Sequence, residues 1–544
     1  MKNHREQNSG LNRRDLVKSA ATVGLAFTTG VQGTPQTAAA APTGANPIRQ
    51  ENAKRGTRDW LLNKSKFLSV GSWAAIGQNV FQRAAMVALT ALVFALLSSP
   101  YAVQGQTDRP NVLILFADDL GHGDVSYNGG DIPTPNIDAL VADGVRLTSG
   151  YMTAPVCNPS RAGLITGRYQ QRWGQELNTQ TEPPSGSAKR GALPPVEQTI
   201  GSLMKKAGYA TGVIGKWQLG VDDGYHPLDR GFDEFFGFAK VSNFINPDWP
   251  GVHEASSRGR SPGPRLLRGR EPATLDMLLT EQLAREGIDF IERHKDEPFF
   301  LYLPFYAPHV PLETMNKYYQ RFPQFENETK RVYAAMISAL DDAIGAVLEK
   351  LRENGLDEKT LVIFTSDNGA AEYIDTDGAR NKPLIGHKRN LYEGGIRVPF
   401  AMRWKGHLPS GAVYRSPVSS LDILPTALGA SNASVPSNVD GVNLLPFLRG
   451  ERQGDPHEYL FWRSGPNAAV RKGKWKLFLS DSIERLYDVQ TDPGESNDRA
   501  SADPAVASEL REAFRKWNAQ LPNPRRATRK VTTQFNGDKV EWDI

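Results

Sequence analysis

Four short apolar runs punctuate the chain: residues 111–116 (Asn-Val-Leu-Ile-Leu-Phe), 210–214, 299–303 (Phe-Phe-Leu-Tyr-Leu) and 361–364 (Leu-Val-Ile-Phe). Unbroken runs of this length and composition predict strands buried on both faces. Between them the hydrophobic period lengthens. Across 333–351, Met336, Ala339, Leu340, Val347, Leu348 and Leu351 fall on one face of a helix. Strands alternating with helices predict an α/β fold, with a large mixed, mostly parallel sheet sandwiched by helices. After about Pro446 the stretches shorten, at 469–479 and 486–489, with a turn signal at Asp492-Pro493-Gly494, and predict a small antiparallel sheet. Residues 183–195 and 256–272, rich in Gly, Pro and polar side chains, read as loop excursions.

Near the N-terminus a further apolar run, 84–97, follows Arg83 and precedes Ser98-Ser99-Pro100; it is shorter than the ~18 residues of a spanning helix and reads as a Sec-like signal. Upstream, Arg13-Arg14-Asp15-Leu16-Val17-Lys18 opens a twin-arginine-like leader. The expected division is a leader region 1–107, containing that leader, a linker and the second signal at 84–105, then a catalytic α/β domain 108–445 and a C-terminal α+β subdomain and tail 446–544. Two accounts of the tandem leaders stand, translation starting near Met86, which is favoured, and a second run that serves as a membrane anchor. The expected location is periplasmic or extracellular, with no stable membrane span.

Composition changes this picture little. Hydrophobic residues make up 39% and charged residues 23% of 544, which is globular rather than disordered. With 64 basic against 60 acidic residues and a net charge of +4, there is no basic cluster to suggest nucleic acid as a partner. Nothing in the sequence fixes an oligomeric state. The single cysteine, Cys157, rules out an internal disulfide.

Both strongest strand runs end in acid, Asp118-Asp119 after the first and Asp367-Asn368 after the last. Ligands collect beyond the carboxyl ends of strands in open α/β sheets, so these oxygens can converge on one hard cation, Ca²⁺ or Mg²⁺ rather than zinc. Taken singly, each pair is more often a turn or a helix cap. Cys157 stands in Val156-Cys157-Asn158-Pro159-Ser160-Arg161, where Asn158 can cap a helix, Pro159 suits its first position and Arg161 lies in the first turn. A helix N-terminus beside an arginine fork suits a tetrahedral oxyanion.

The string from Cys157 through Arg161 to Arg168 resembles the signature of the type I sulfatases, of the arylsulfatase and N-acetylgalactosamine-6-sulfatase kind. Further segments match in order: Thr134 to Asp138, Gly215-Lys216-Trp217-Gln218-Leu219-Gly220, Tyr306-Ala307-Pro308-His309 and His387-Lys388 through Pro399. The resemblance implies an alkaline-phosphatase-like sulfatase fold and a formylglycine made from Cys157 by a maturation enzyme. It assigns Asp118, Asp119, Asp367 and Asn368, with the oxygen at position 157, to a metal, usually Ca²⁺, with Mg²⁺ left open. Lys216, Lys388 and Arg161 would bind sulfate oxygens, and His309 would protonate the leaving oxygen. The geminal diol of hydrated formylglycine would attack sulfur with one hydroxyl and expel sulfate with the other. Gln218 departs from the pattern, which commonly has histidine there; an amide takes up no proton at neutral pH. The implied substrate is a sulfated carbohydrate or an aryl sulfate. Two alternatives stand beside it: a phosphate or phosphonate monoester hydrolase of the same superfamily, and a catalytically impaired sulfated-glycan binding protein.

Overall fold

Strand β1 (Asn111–Ala117) lies inside a ten-stranded sheet in the computed structural model, which describes residues 109–178, 191–238, 249–256, 266–378, 380–481, 483–524 and 530–543. The whole expected leader region, 1–107, with both of its signals, and most of the 183–195 excursion lie outside the described residues. The remaining strands are β2 (Val145–Leu147), β3 (Ala210–Lys216), β4 (Glu234–Phe238), β5 (Leu266–Arg268), β6 (Glu271–Ala273), β7 (Phe299–Pro304), β8 (Thr360–Ser366), β9 (Phe400–Arg403) and β10 (Ala412–Tyr414). Their order is β10-β2-β9-β8-β1-β7-β3-β4-β5-β6, and the five from β8 to β4 run parallel.

Every residue of β1, β7 and β8 is buried, as the unbroken apolar runs require. The strand period splits them between two faces. Leu113 and Leu115 join one core cluster with Leu283, Phe290, Leu340 and Ile344. Those side chains belong to helices α2 (Leu279–Arg293) and α3 (Glu328–Glu353). Val112, Ile114 and Phe116 join the other, with Ala162 and Ile165 of α1 (Cys157–Thr166). Each such side chain stabilises the fold by roughly 1.5–3 kcal/mol. Helix α3 starts where the Asn327 side chain accepts from the Lys330 N–H and ends with Lys350 and Arg352 against its dipole.

Two expectations need correction. Residues 256–272 are not simply a loop: 266–268 and 271–273 pair as the outer strands β5 and β6. Helix α1 begins at Cys157 after Val156, so Asn158 is not its cap and Pro159 sits inside its first turn. Proline is tolerated there because the first N–H groups of a helix have no intrahelical partner.

Beyond the main sheet, β11 (Leu460–Ser464), β12 (Asn467–Lys472), β13 (Trp475–Leu479) and β14 (Glu484–Asp488) form the expected antiparallel sheet. Helix α4 (Pro504–Asn518) buries Ala507 and Leu510 against Val470, Leu477 and Leu486 on one face. On the other face Trp462, Ala469 and Phe478 meet Tyr151, Leu391 and Tyr392 together with Trp542 of a last hairpin, β15 (Lys530–Phe535) and β16 (Asp538–Asp543). No helix of the described residues is long and apolar enough to cross a membrane.

Candidate active site

Register brings the acids together. Ala117 of β1 pairs with Ser366 of β8, so both acidic pairs leave the sheet side by side. The Asp119 N–H donates to Asp367 Oδ1 at 3.1 Å and the Leu120 N–H to Ser366 Oγ at 2.9 Å, which locks the two strand ends. Asp119 takes the left-handed conformation (φ +63°), as do Gln218 (+60°) and Arg389 (+83°). A non-glycine residue there costs of order 1–3 kcal/mol and is found where function over-determines the backbone.

Four other segments deliver the remaining groups. Cys157, at the start of α1, sits with Sγ 3.6 Å from Asp118 Oδ1 and 3.9 Å from Asp119 Oδ1. Lys216, the last residue of β3, donates from Nζ to Asp118 Oδ2 at 2.5 Å. Lys388 Nζ donates to both oxygens of Asp119, at 2.6 and 2.7 Å. His309 donates from Nδ1 to the Val310 carbonyl at 2.6 Å, leaving Nε2 3.6 Å from Asp119 Oδ2. Gln218 makes no bond to this cluster: its backbone carbonyl accepts from Nδ2 of Asn158, the residue after Cys157, at 2.6 Å.

Arg161 is placed differently from a sulfate clamp. Its Nε and Nη2 donate to Asp367 Oδ2 at 3.1 and 2.8 Å, and Nη1 donates to the Lys216 carbonyl at 3.0 Å. The guanidinium is fully buried over the Phe116 ring. It holds Asp367 and the end of β3, and Ser160 Oγ adds a 2.6 Å bond to the Asp367 carbonyl.

Three buried carboxylates face three buried cations, and the balance sets the ionisation of each group. Burial alone would raise Asp119, but Lys388, then His309 and Lys216, hold it well below the usual carboxylate range. Asp367 goes the other way, pushed up to about 6 by burial and by Asp118. Burial and then Asp367 push the Cys157 thiol up to about 12, against the helix-terminus expectation of a favoured anion. As a thiol it is protonated at neutral pH and a poor nucleophile. Burial and Lys388 drive His309 well below its ordinary value, whereas Lys388 is held well above its own because Asp119, Cys157, Tyr373 and Asp118 together outweigh burial.

The donor set fits a metal ion. Ligand atoms of Asp118, Asp119, Cys157 and His309 lie within 4.8 Å of one another. Asn368 donates from Nδ2 to Asp119 at 2.7 Å, while its Oδ1 is buried with no hydrogen-bond partner. A buried, unpaired amide oxygen costs free energy that an oxophilic ion recovers. His309 joins this group through a position the sequence reading gave to acid catalysis. Gln218 Oε1 is likewise buried without a partner.

A small recess beside Lys388 is lined also by Glu372, His387, Arg389, Val531, Thr533 and Trp542, and no other residue of the cluster lines it. The final hairpin thus forms one wall. Sequence reading placed it in an undifferentiated tail, and the only signal was its alternation of polar and apolar residues.

Residues 110–433 match the family described as Sulfatase, and residues 385–520 match N-sulphoglucosamine sulphohydrolase, C-terminal. N-acetylgalactosamine-6-sulfatase of Mus musculus is 32% identical over 410 residues, covering 73% of this chain and 77% of that protein. Arylsulfatase D of Homo sapiens is 31% identical over 450 residues, covering 70% and 74%. Among solved structures, Ps i-CgsB in complex with k-i-k-neocarrahexaose superposes with a TM-score of 0.69 at 31% identity, covering 76% of this chain and 94% of that one.

Proposed function

Starting from a chain that belongs to the sulfatase family and is a sulfuric ester hydrolase of the alkaline-phosphatase-like sulfatase fold, we propose that it removes sulfate from a sulfated carbohydrate, using a formylglycine made from Cys157 and a bound Ca²⁺. The observation that carries this reading is the buried meeting of Cys157 with Asp118 and Asp119, flanked by Lys216 and Lys388. A thiol pushed up to about 12 has no nucleophilic use there, so conversion to an aldehyde hydrate gives position 157 its chemistry. The carbohydrate substrate is supported by the relatives' names and by the oligosaccharide held in Ps i-CgsB.

Asp118, Asp119, Asp367 and Asn368 are the residues suited to hold the ion, which when bound would polarise sulfate oxygens and the nucleophilic hydroxyl. The rest falls to the side chains. Lys216 and Lys388 meet the charge that builds on the sulfate oxygens; Lys388→Ala should cost on the order of a hundredfold in rate. His309 keeps Nδ1–H on the Val310 carbonyl, and burial holds the ring neutral, so Nε2 would first take up a proton, as an anionic ester beside it favours, and then give it to the departing oxygen. Arg161 orients Asp367 from behind. The leader-like segments at 13–18 and 84–97 support export.

The test is the mass of the Cys157 peptide from the native protein, with hydrazide trapping, followed by sulfate release from sulfated oligosaccharides. An aldehyde with sulfate release is the expected result. An unmodified thiol in a protein that binds the sugar without releasing sulfate would make it a binding protein, and faster turnover of phosphate or phosphonate esters would change the substrate class.

Two further outcomes are expected. Chelation with EGTA should abolish sulfate release and lower the thermal midpoint, and Ca²⁺ should restore both, because a ligand that binds only the folded state stabilises it; preferential restoration by Mg²⁺ would reassign the ion. Gln218→His should raise turnover by supplying a base. A rate that stays level or falls means that the site is built around the amide.

A further inference from the structure

A second concave site lies away from Cys157, where the edge of the main sheet meets the C-terminal sheet. It is a half-open cavity of about 680 Å³. Its walls carry Arg146 of β2, Arg397, Arg415 just after β10, Arg471 of β12 and Lys474 in the β12–β13 turn, against a single lining carboxylate, Asp455. None of the residues in the catalytic cluster lines it, and it shares no residue with the recess beside Lys388.

Three of these cations have carboxylates behind them: Arg397 donates to Glu393 Oε2 at 3.2 Å, Lys474 donates to Asp488 Oδ2 at 2.7 Å, and Arg471 stands near Glu393; Arg146, bonded to Asn128 Oδ1, and Arg415 have no ion-pair partner among the described residues. Arg471 is only 4% exposed, yet its Nη1 has no hydrogen-bond partner; the nearest carboxylate oxygen, on Glu393, is 3.8 Å away. Its Nε donates to the Gly473 carbonyl at 2.9 Å and Nη2 reaches Ser149 Oγ at 3.4 Å. Arg146 Nε is also buried without a partner. A buried guanidinium normally has its N–H groups satisfied, because an unpaired charge out of water is costly. A cavity wall that carries two guanidiniums without a carboxylate partner, those of Arg146 and Arg415, is the arrangement that receives an oxyanion. The field agrees: His122, also on the wall, is driven down to about 3 by burial and by Arg397.

We propose that this cavity is a second, non-catalytic site for a sulfate-type oxyanion, roomy enough to take it as the charged group of a sulfated saccharide. Pockets that hold small ligands span roughly 300–1,000 Å³, several times what one free anion fills. The site is independent of the chemistry at Cys157.

The test uses full-length, Ca²⁺-loaded Cys157→Ala protein, which does not consume its ligand, titrated calorimetrically with galactose 6-sulfate and with inorganic sulfate. Two sites are expected. In the same background Arg415→Glu, at an exposed position, and Lys474→Glu should each weaken one of them at least tenfold and leave the other intact. Arg415→Glu alone should turn over 4-nitrophenyl sulfate at the parental rate. Tighter binding of the sugar than of the anion assigns the second site to saccharide, and equal binding assigns it to free sulfate; both uphold an anion site. A single binding event, or two that neither charge reversal alters, overturns it.

Discussion

Replacing Cys157 by serine is expected to give a folded protein that performs one sulfate transfer and stops. Serine is close in size to the buried thiol and would stand beside the same Asp118 and Asp119 oxygens. It offers one hydroxyl, so once that oxygen has taken sulfate nothing internal can expel it, whereas an aldehyde hydrate has a second. Intact mass after incubation with 4-nitrophenyl sulfate should show a stable sulfo adduct, and kcat should fall on the order of 10⁴-fold or more. Sustained turnover by the serine variant would remove the aldehyde from the mechanism.

Arg161→Ala is expected to be the most damaging change that touches no substrate. It strips Asp367 of both guanidinium bonds and leaves a buried carboxylate, itself already pushed up to about 6, without its main counter-charge. Breaking a buried pair from one side typically costs 3–5 kcal/mol. Arg161→Lys separates charge from geometry: it restores a cation but cannot make the fork to Asp367 and the bond to the Lys216 carbonyl together. Thermal midpoint and turnover should rank wild type, lysine, alanine. An alanine variant as stable as the parent would mean that Arg161 holds nothing in place.

Much of this site was legible because its parts are local in sequence. The runs before Asp118 and Asp367 are continuous and apolar, so strands ending in acid could be read directly. What could not be read were partnerships across the fold. Arg161 and Asp367 are 206 residues apart, and no local pattern says that the guanidinium turns inward to a carboxylate rather than outward to a ligand. The strands at 266–268 and 271–273 are three residues each, one containing Pro272, too short for any period to register. The start of α1 was misjudged because Asn158 and Pro159 are common N-terminal residues, while the structure uses Asn158 to hold Gln218 and the Gly191 carbonyl. The hairpin wall beside Lys388 and the arginine-lined cavity both depend on how the C-terminal sheet docks, which composition does not encode.

The burial of Cys157, only 1% exposed, also sets a timetable for biosynthesis. The groups that close over it come from both ends of the domain, and Asp367 is made 206 residues after Arg161. At ~5–20 residues per second, a ribosome takes about 10–40 s to cover that stretch. An enzyme modifying this cysteine would have to find it during that interval, or meet the chain unfolded, because once the late strands arrive the thiol is sealed inside the fold.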